Sequence, residues 1–171
     1  MSDLRRLAEF IHDITWDQLP ERVRETAALR VLDLVSVAAG AVKDPLVEAA
    51  KEALGAVSGC GNVSVWGGTR KYPLATAAML NAMLAHTLEL DDVHTASKTH
   101  GSASLIPAAW SCAEYLGKSG KTFCWQWSAV MRPSTVWAWL LAYPLIGTAA
   151  GMPRQPAACL AARQPAQSFW I

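Results

Sequence analysis

The sequence predicts an all-α protein, and three observations lead to this fold class. Apolar residues recur at helical spacing in residues 3–13, 20–40 and 45–59. Residues 73–90, rich in Ala, Met and Leu, carry no charge before His86. A strand or extended loop is indicated at one stretch, the Val- and Gly-rich CGNVSVWGG at residues 60–68. Because helical segments dominate and are separated by short loops, we expect helices packed on helices.

The long second helix is expected to begin near Pro20, which is tolerated in a first helical turn. After Arg30 this segment is apolar almost all round except Asp33, so we expect its second half to be buried. Gly40 and the Asp44-Pro45 pair mark its end and the start of the third helix.

The fifth helix is predicted over residues 104–120, after a loop at residues 91–103. Pro107 falls in its first turn or two, and Gly117 stands near its end. The fourth helix is predicted over residues 73–90, so its charged end and the small-residue loop that follows it are neighbours in the predicted fold.

Composition excludes several classes of protein. Among the 171 residues, 52% are hydrophobic and 17% are charged, which argues for a folded chain of one domain or at most two. A formal charge of +1 gives no electrostatic basis for binding nucleic acid. The four cysteines lie far apart with no C-x-x-C pair, so reduced thiols in a cytoplasmic protein are the simplest interpretation, although disulfides stay open. The start MSDLRRLAEF has no apolar segment behind it, and we expect no secretory signal.

The chain changes character near residue 124. Residues 124–171 contain no Asp, Glu or Lys but hold five of the eight tryptophans and five of the nine prolines. Three interpretations are a membrane anchor over residues 133–153, an unusual folded tail, and a tail read from a shifted frame. Pro144 within the uncharged stretch weakens the anchor. We expect residues 1–123 to form a partial helical domain and residues 124–171 an atypical tail, frameshifted or disordered, without a membrane partner.

Titratable side chains are concentrated at residues 85–100, AHTLELDDVHTASKTH, where a predicted apolar helix ends. This stretch holds three of the four histidines of the chain, three carboxylates and a lysine. Residues three apart share a helix face, so we expect the side chains of His86 and Glu89 to lie side by side. The members are His86, Glu89, Asp91, Asp92, His94, Lys98 and His100.

The chemistry that fits this set is proton transfer. Burial raises the pKa of a carboxylate, and imidazole titrates near neutral pH, so the two together can move protons to and from carbon and a leaving group. Lys98 could bind an anionic substrate. The structural alternative is that Glu89 and the Asp91-Asp92 pair cap and solvate a helix junction, with His86 as a core residue.

A metal site is a second functional interpretation of the same stretch. His86, Glu89, His94 and an aspartate could supply nitrogen and oxygen ligands. The H-x-x-E spacing is common by chance and matches no strong zinc signature. We therefore predict no metal.

The segment LNAMLAHTLELDDVHTASKTHGSASLIPAAWSCAEYLGKSGKTF resembles the MmgE/PrpD family of 2-methylcitrate dehydratase, cis-aconitate decarboxylase and iminodisuccinate epimerase. That family's helical domain carries a similar pattern, N-G-x-x-x-H-x-L-(D/E)-(F/L)-D-D-(V/T)-H followed by H-P-(S/G). LPERVRETAALRVLDLVSVAAGA also looks like its opening. This sequence departs from the pattern at Ala82, in place of glycine, and at Gly101, in place of proline. The similarity covers residues 4 to about 123 and ends there abruptly.

The resemblance implies the truncated N-terminal part of a helical domain, followed by the atypical tail. Members are cytosolic or organellar homodimers that dehydrate, decarboxylate or epimerise small di- and tricarboxylates by proton transfer. They generally need no metal or iron–sulfur cluster, so we expect no cofactor. Full members are much longer, and residues that complete the pocket lie in regions this chain lacks. A non-catalytic helical truncated product or interaction module is therefore the alternative function, and whether this chain alone is an enzyme stays open.

The family's site residues carry over to three positions that we predict to be catalytic. His100 matches the histidine after the Asp-Asp pair and is expected to be a general acid/base. Glu89 takes the place of the family's acidic residue, as a base or a substrate-orienting group, and Asp92 is expected to position the loop. The predicted substrate-binding residues are Lys98, Ser102 and His94.

Overall fold

A computed structural model describes residues 5–6, 9, 12–95, 98–125, 127–128 and 131. Within these residues the chain forms α1 (Glu21–Gly40), α2 (Pro45–Val57), β1 (Val63–Ser64), β2 (Lys71–Tyr72), α3 (Leu74–His86) and α4 (Gly101–Tyr115). A short 3-10 turn, Trp16–Gln18, precedes α1, and residues 120–125 are again helical. The all-α prediction is confirmed. Most of the predicted second part of the chain, residues 124–171, lies outside the described residues.

Helix α1 packs on one narrow face. It begins directly after Pro20, as predicted, and its buried residues follow the three- and four-residue spacing of a single stripe: Val23, Ala27, Leu34 and Ala38. The expected burial of its whole second half is wrong, because Leu32 is 64% exposed. The described part of the molecule covers α1 from one side, which leaves the opposite apolar face open.

Helix α2 and the small hairpin form the next layer. The side chain of Asp44 accepts a hydrogen bond from the backbone N–H of Leu46 at 2.9 Å and so caps α2. The strands β1 and β2 pair antiparallel, with Val63 opposite Tyr72. The strand signal at residues 60–68 is therefore confirmed as a two-residue strand. The hairpin connects α2 to α3.

Helix α3 lies in the middle of the described fold and contacts α1, α2, α4 and the hairpin. Its buried positions are mostly small or aliphatic: Ala77, Leu80, Asn81, Leu84 and Ala85. It ends at His86, four residues before the predicted end. The backbone N–H of Glu89 bonds to the carbonyl of His86 at 2.9 Å, and Glu89 has φ +48°, which turns the chain out of the helix.

Helix α4 begins at Gly101, three residues earlier than predicted, so Ser102 and Ala103 belong to the helix and are buried. The small side chains there allow the first turn of α4 to pack closely on the described core. Pro107 lies inside the helix and lacks the N–H that would otherwise bond to the previous turn. The ends of α3 and α4 that face the connecting loop are thereby fixed by packing.

Two apolar clusters form the described core. One joins α1 and α4 to Phe123, Trp127 and Met131, and the other joins α2, the hairpin and α3 to the end of α1. Trp127 is 1% exposed and therefore packs as a core residue, although it lies beyond residue 124. Cys60, Cys112 and Cys124 are not in disulfides, and Cys159 lies outside the described residues. No helix in the described ranges has the length and apolar character needed to cross a membrane.

Candidate active site

The loop between α3 and α4 folds back on itself. His94 and Thr99 form an antiparallel bridge, with the N–H of His94 donating to the carbonyl of Thr99 at 2.9 Å. This bridge closes the neck of the loop and returns the chain to α4 close to the point where it left α3. Residues on the two sides of the neck are therefore brought together.

Asp91 is the centre of the site. Its side chain is fully buried, and its two oxygens face two different imidazoles. The Nδ1 of His86 lies 3.0 Å from Oδ1, and the Nδ1 of His100 lies 2.9 Å from Oδ2. An ionised carboxylate can only accept hydrogen bonds, so each Nδ1 donates a proton to it. One aspartate thus joins the last residue of α3 to the residue that precedes α4.

The hydrogen bonds keep Asp91 ionised in spite of its burial. Burial alone would raise the pKa of this carboxyl, but hydrogen bonds from His86 and His100 outweigh it and hold the pKa below its ordinary value. A buried charge that is paired and hydrogen-bonded in this way is a stable arrangement. The site therefore has a fixed negative charge at its base.

The two imidazoles sit against each other above this charge. Their ring centroids are 4.8 Å apart and their planes meet at 66°. The side chains of His86 and His100 are 48% and 34% exposed, whereas the Asp91 side chain is fully buried. Since Nδ1 of each ring faces the aspartate, Nε2 is left to accept or donate protons outside the cluster.

The neighbouring Asp92 faces a different element. Its carboxylate forms an ion pair with Arg30 on α1, and the two side chains are 21% and 27% exposed. The Oδ1 atom of Asp92 is buried and has no hydrogen-bond partner in the described part of the chain. The two adjacent aspartates therefore differ in what they contact. Asp91 holds the imidazoles, and Asp92 fastens the loop to α1.

The same three side chains are also a possible metal-ligand group. The ligand atoms of His86, Asp91 and His100 lie within 4.8 Å of one another. For a metal to use these atoms, each Nδ1 that now faces Asp91 would have to give up its proton. Glu89 and His94, which the sequence suggested as ligands, are not part of this group.

A comparison with known protein families identifies the family of this chain. Residues 5–127 match the model of the MmgE/PrpD N-terminal domain. The chain belongs to this family. The match confirms the resemblance seen in the sequence and extends to residue 127, which agrees with the burial of Trp127.

Similarity to curated proteins is distant. The cis-aconitate decarboxylase-like protein oryM of Aspergillus oryzae is 30% identical over 112 residues, which is 66% of this chain and 23% of that protein. The chain thus spans about a quarter of the length of this curated relative. No solved structure matches the chain.

The family motif places its residues in different environments. Among the described residues that are not glycine, Glu89 and Lys98 have positive φ, +48° and +54°, and both are exposed. Such backbone is uncommon outside glycine and is a feature of turns and functional loops. The roles of Glu89, as base or orienting group, and of Lys98, as anion-binding group, stay predictions.

The other predicted substrate-binding residues lie nearer the protein interior. His94 is half-buried and bridges the loop through its backbone. Ser102 is 2% exposed, and its hydroxyl has no hydrogen-bond partner among the described residues. The motif residue Asn81, in contrast, has a structural role. It accepts from the N–H of Trp66 at 2.8 Å and donates to the carbonyl of Ser64 at 3.1 Å, which fixes the hairpin to α3.

The structure adds two residues to the predicted site, Asp91 and His86. The sequence placed both in the titratable stretch, but the predicted roles went to Glu89, Asp92 and His100. A signal was available in the Asp-Asp pair, because adjacent residues in extended backbone point to opposite sides. That rule says one aspartate faces inward, and it does not say which.

Proposed function

We propose that this chain is the N-terminal part of a lyase or isomerase that acts on a small di- or tricarboxylate by proton transfer. Membership of the MmgE/PrpD family supports this class of function. A relative named as cis-aconitate decarboxylase-like supports a polycarboxylate substrate. Dehydration, decarboxylation and epimerisation are the candidate reactions. Because the chain spans about a quarter of that relative, the activity is proposed for the whole protein.

The observation that carries the proposal is the contact between His100 and Asp91. A histidine whose Nδ1–H is held by a buried carboxylate presents Nε2 in a fixed direction, as a proton-transfer residue requires. In each candidate reaction a proton moves to or from a carbon next to a carboxylate, and the electron pair left by the broken bond is protonated or expels a leaving group. We assign His100 as the acid/base that moves this proton.

The remaining predicted residues take supporting roles in the proposal. Glu89, exposed at the turn after α3, acts as a base or orients the substrate, and Lys98 binds a substrate carboxylate. Asp92 positions the loop through its ion pair with Arg30. His94 and Ser102 are proposed to contact the substrate. We also propose that the whole protein is a cytoplasmic homodimer, as the family resemblance implies.

The first prediction concerns His100. Replacing the corresponding histidine of a full-length family member by alanine should lower turnover roughly 10²-fold or more, because proton transfer by a positioned side chain contributes that much. Turnover is measured with 2-methylcitrate, cis-aconitate and iminodisuccinate. In this chain, binding of the same compounds to His100→Ala is compared with binding to His12→Ala, whose imidazole is 88% exposed and outside the site.

Two results would contradict the proposal. An unchanged rate in the His100 variant would remove the role assigned to this residue. If none of the three compounds is bound or turned over by the full-length member, the alternative of a non-catalytic helical module gains support. That alternative also has a structural observation in its favour, since Leu29 and Leu32 on α1 are each 64% exposed.

A further inference from the structure

His86 has no role in the function proposed above, yet it shares the buried carboxylate of Asp91 with His100. His86 ends α3, and His100 immediately precedes α4. The carboxylate holds both rings through Nδ1, at 3.0 and 2.9 Å. An aspartate that only supported His100 would not need a second imidazole on its other oxygen.

We propose that His86 is a second proton-transfer group beside His100, and that Asp91 is the positioning residue that holds both rings as Nδ1–H tautomers with Nε2 available to the substrate. This inference rests on the proposed function, because it adds a residue to the same reaction. It goes beyond that function by naming the pair of groups that exchange protons.

The tautomer assignment follows from the chemistry of the acceptor. An ionised carboxylate has lone pairs and no proton, so a ring nitrogen at hydrogen-bond distance from it must supply one. The hydrogen bond made by one ring nitrogen decides which nitrogen of a neutral imidazole carries the proton. With the Asp91 carboxylate 3.0 and 2.9 Å from the two Nδ1 atoms, both rings carry hydrogen on Nδ1, which leaves the lone pair of each neutral ring on Nε2.

The geometry keeps the two rings side by side. The ring centroids are 4.8 Å apart, so protonating both rings at once would place two positive charges in near contact above one carboxylate. Asp91 is the charged group that the structure shows in contact with both rings. In the proposed reaction one ring therefore acts as the acid, in its imidazolium form, and the other acts as the neutral base.

An acid and a base in contact suit dehydration, one of the candidate reactions. In dehydration, the neutral ring takes the proton of a C–H bond, and the electron pair of that bond forms the C=C bond as the C–O bond on the neighbouring carbon breaks. The imidazolium gives its proton to the departing oxygen, which leaves as water. The pair holds one proton more than two neutral rings both before and after the reaction, so the step balances without a further reactant.

The second prediction is read directly from the imidazole nitrogens. Long-range ¹⁵N–¹H NMR of the full 171-residue chain, at a pH where the rings are neutral, should show His86 and His100 both as Nδ1–H tautomers. His86→Gln and His100→Gln assign the signals, and His12, whose Nδ1 lies 3.3 Å from Asp13 Oδ1 with both side chains exposed to water, gives the reference for a ring outside the buried cluster. Nε2–H on either ring of the unaltered chain would overturn the proposal.

Asp91→Asn sharpens this measurement. An asparagine in the same place can accept from one ring through its oxygen but must donate to the other through its amide, so one ring should move its proton to Nε2. Asp33→Asn, the same change on the exposed side of α1, should leave both rings unaltered. If Asp91→Asn does not fold, the signals of the unaltered chain still decide the tautomers.

The catalytic half is tested in a full-length family member. Replacing the histidine that corresponds to His86 by glutamine should lower kcat at least 10-fold with little change in KM and remove one limb of the pH–rate profile. Unchanged kcat and an unchanged profile, beside a strong loss in the His100 variant, would overturn the role of His86 and leave the proposed function standing. No turnover of 2-methylcitrate, cis-aconitate or iminodisuccinate by the unaltered member would instead count against the proposed function.

Discussion

Two hydrogen-bonded carboxylates in this fold show how the proposed functional cluster differs from a structural one. Glu114 on α4 accepts from the N–H and hydroxyl of Ser64, at 3.0 and 2.6 Å, and from the ammonium of Lys71 at 2.8 Å. Asp91 accepts instead from two imidazoles. Burial raises the pKa of both carboxyls, and in both the hydrogen bonds outweigh it, so each pKa lies below its ordinary value.

The partners make the difference. Around Glu114, a backbone N–H, a hydroxyl and an ammonium join α4 to both strands of the hairpin, and the contacts serve to hold these elements together. Around Asp91, each partner is a ring with a second nitrogen, and the rings of His86 and His100 are 48% and 34% exposed. A lowered carboxyl pKa therefore does not mark a functional site by itself. We propose that the ability of the two imidazoles to exchange protons with a substrate is what distinguishes the Asp91 cluster.

The largest expected effect on stability concerns Glu114, the carboxylate with a structural role. Glu114→Ala should lower the free energy of unfolding by about 2–3 kcal/mol, because the Ser64 N–H and the Lys71 ammonium lose a charged acceptor. Urea denaturation followed by circular dichroism measures this. The tautomers of His86 and His100 should not change, since the two clusters share no residue.

Glu48→Ala is the matched control for Glu114→Ala. Glu48 also pairs with a lysine, Lys51, but its side chain is 59% exposed, so its loss should cost no more than about 0.5 kcal/mol. Equal losses in the two variants would show that the Glu114 network contributes no more than a surface ion pair. Glu114 would then not be a carboxylate that stabilises the contact between α4 and the hairpin.

Features of the fold that depend on neighbouring residues could be predicted from the sequence, and features that depend on the rest of the structure could not. The helix starts at Pro20 and Asp44 and the buried stripe of α1 depend on neighbouring residues, and local patterns predicted them. Local pattern did not reveal the end of α3, because the turn at Glu89 depends on a backbone conformation unusual for this residue type. The exposure of Leu32 could not be predicted either, since hydropathy does not say whether another element covers that face of α1.

The Asp91 and Glu114 clusters differ in how much of each could be predicted from the sequence. Residues 86–100 stand out because their titratable groups are close in sequence, and that part of the site was predicted. The choice of Asp91 over Asp92 as the inward-facing residue was not, because it depends on the position of Arg30 on α1, 62 residues away from Asp92. The contacts of Glu114 could not be predicted from neighbouring residues, since Ser64 lies 50 residues before it.

A middle-sized effect is expected at the ion pair that fastens the site to α1. Arg30→Met should lower the free energy of unfolding by about 1–2 kcal/mol, because it leaves the largely buried carboxylate of Asp92 without its partner. Denaturation is again the measurement, with Arg22→Met, an exposed position of the same helix, as the control. Adding Asp92→Asn to Arg30→Met should recover part of the loss. A strictly additive double variant would mean that the two side chains are not coupled.

The smallest effect is confined to acidic pH, and it treats both carboxylates alike. A carboxyl whose folded-state pKa is lowered binds fewer protons folded than unfolded, so stability falls as the pH falls. The contribution is complete above the ordinary values, 3.8 for Asp91 and 4.5 for Glu114, and is lost as the pH falls through the lowered folded-state values. Melting temperatures between about pH 2 and pH 6 should therefore depend less on pH in Asp91→Asn and in Glu114→Gln than in the unaltered chain, while Asp33→Asn should follow the unaltered curve. If the melting temperature of Asp91→Asn depends on pH in the same way as that of the unaltered chain, the imidazole hydrogen bonds do not keep the Asp91 carboxylate ionised.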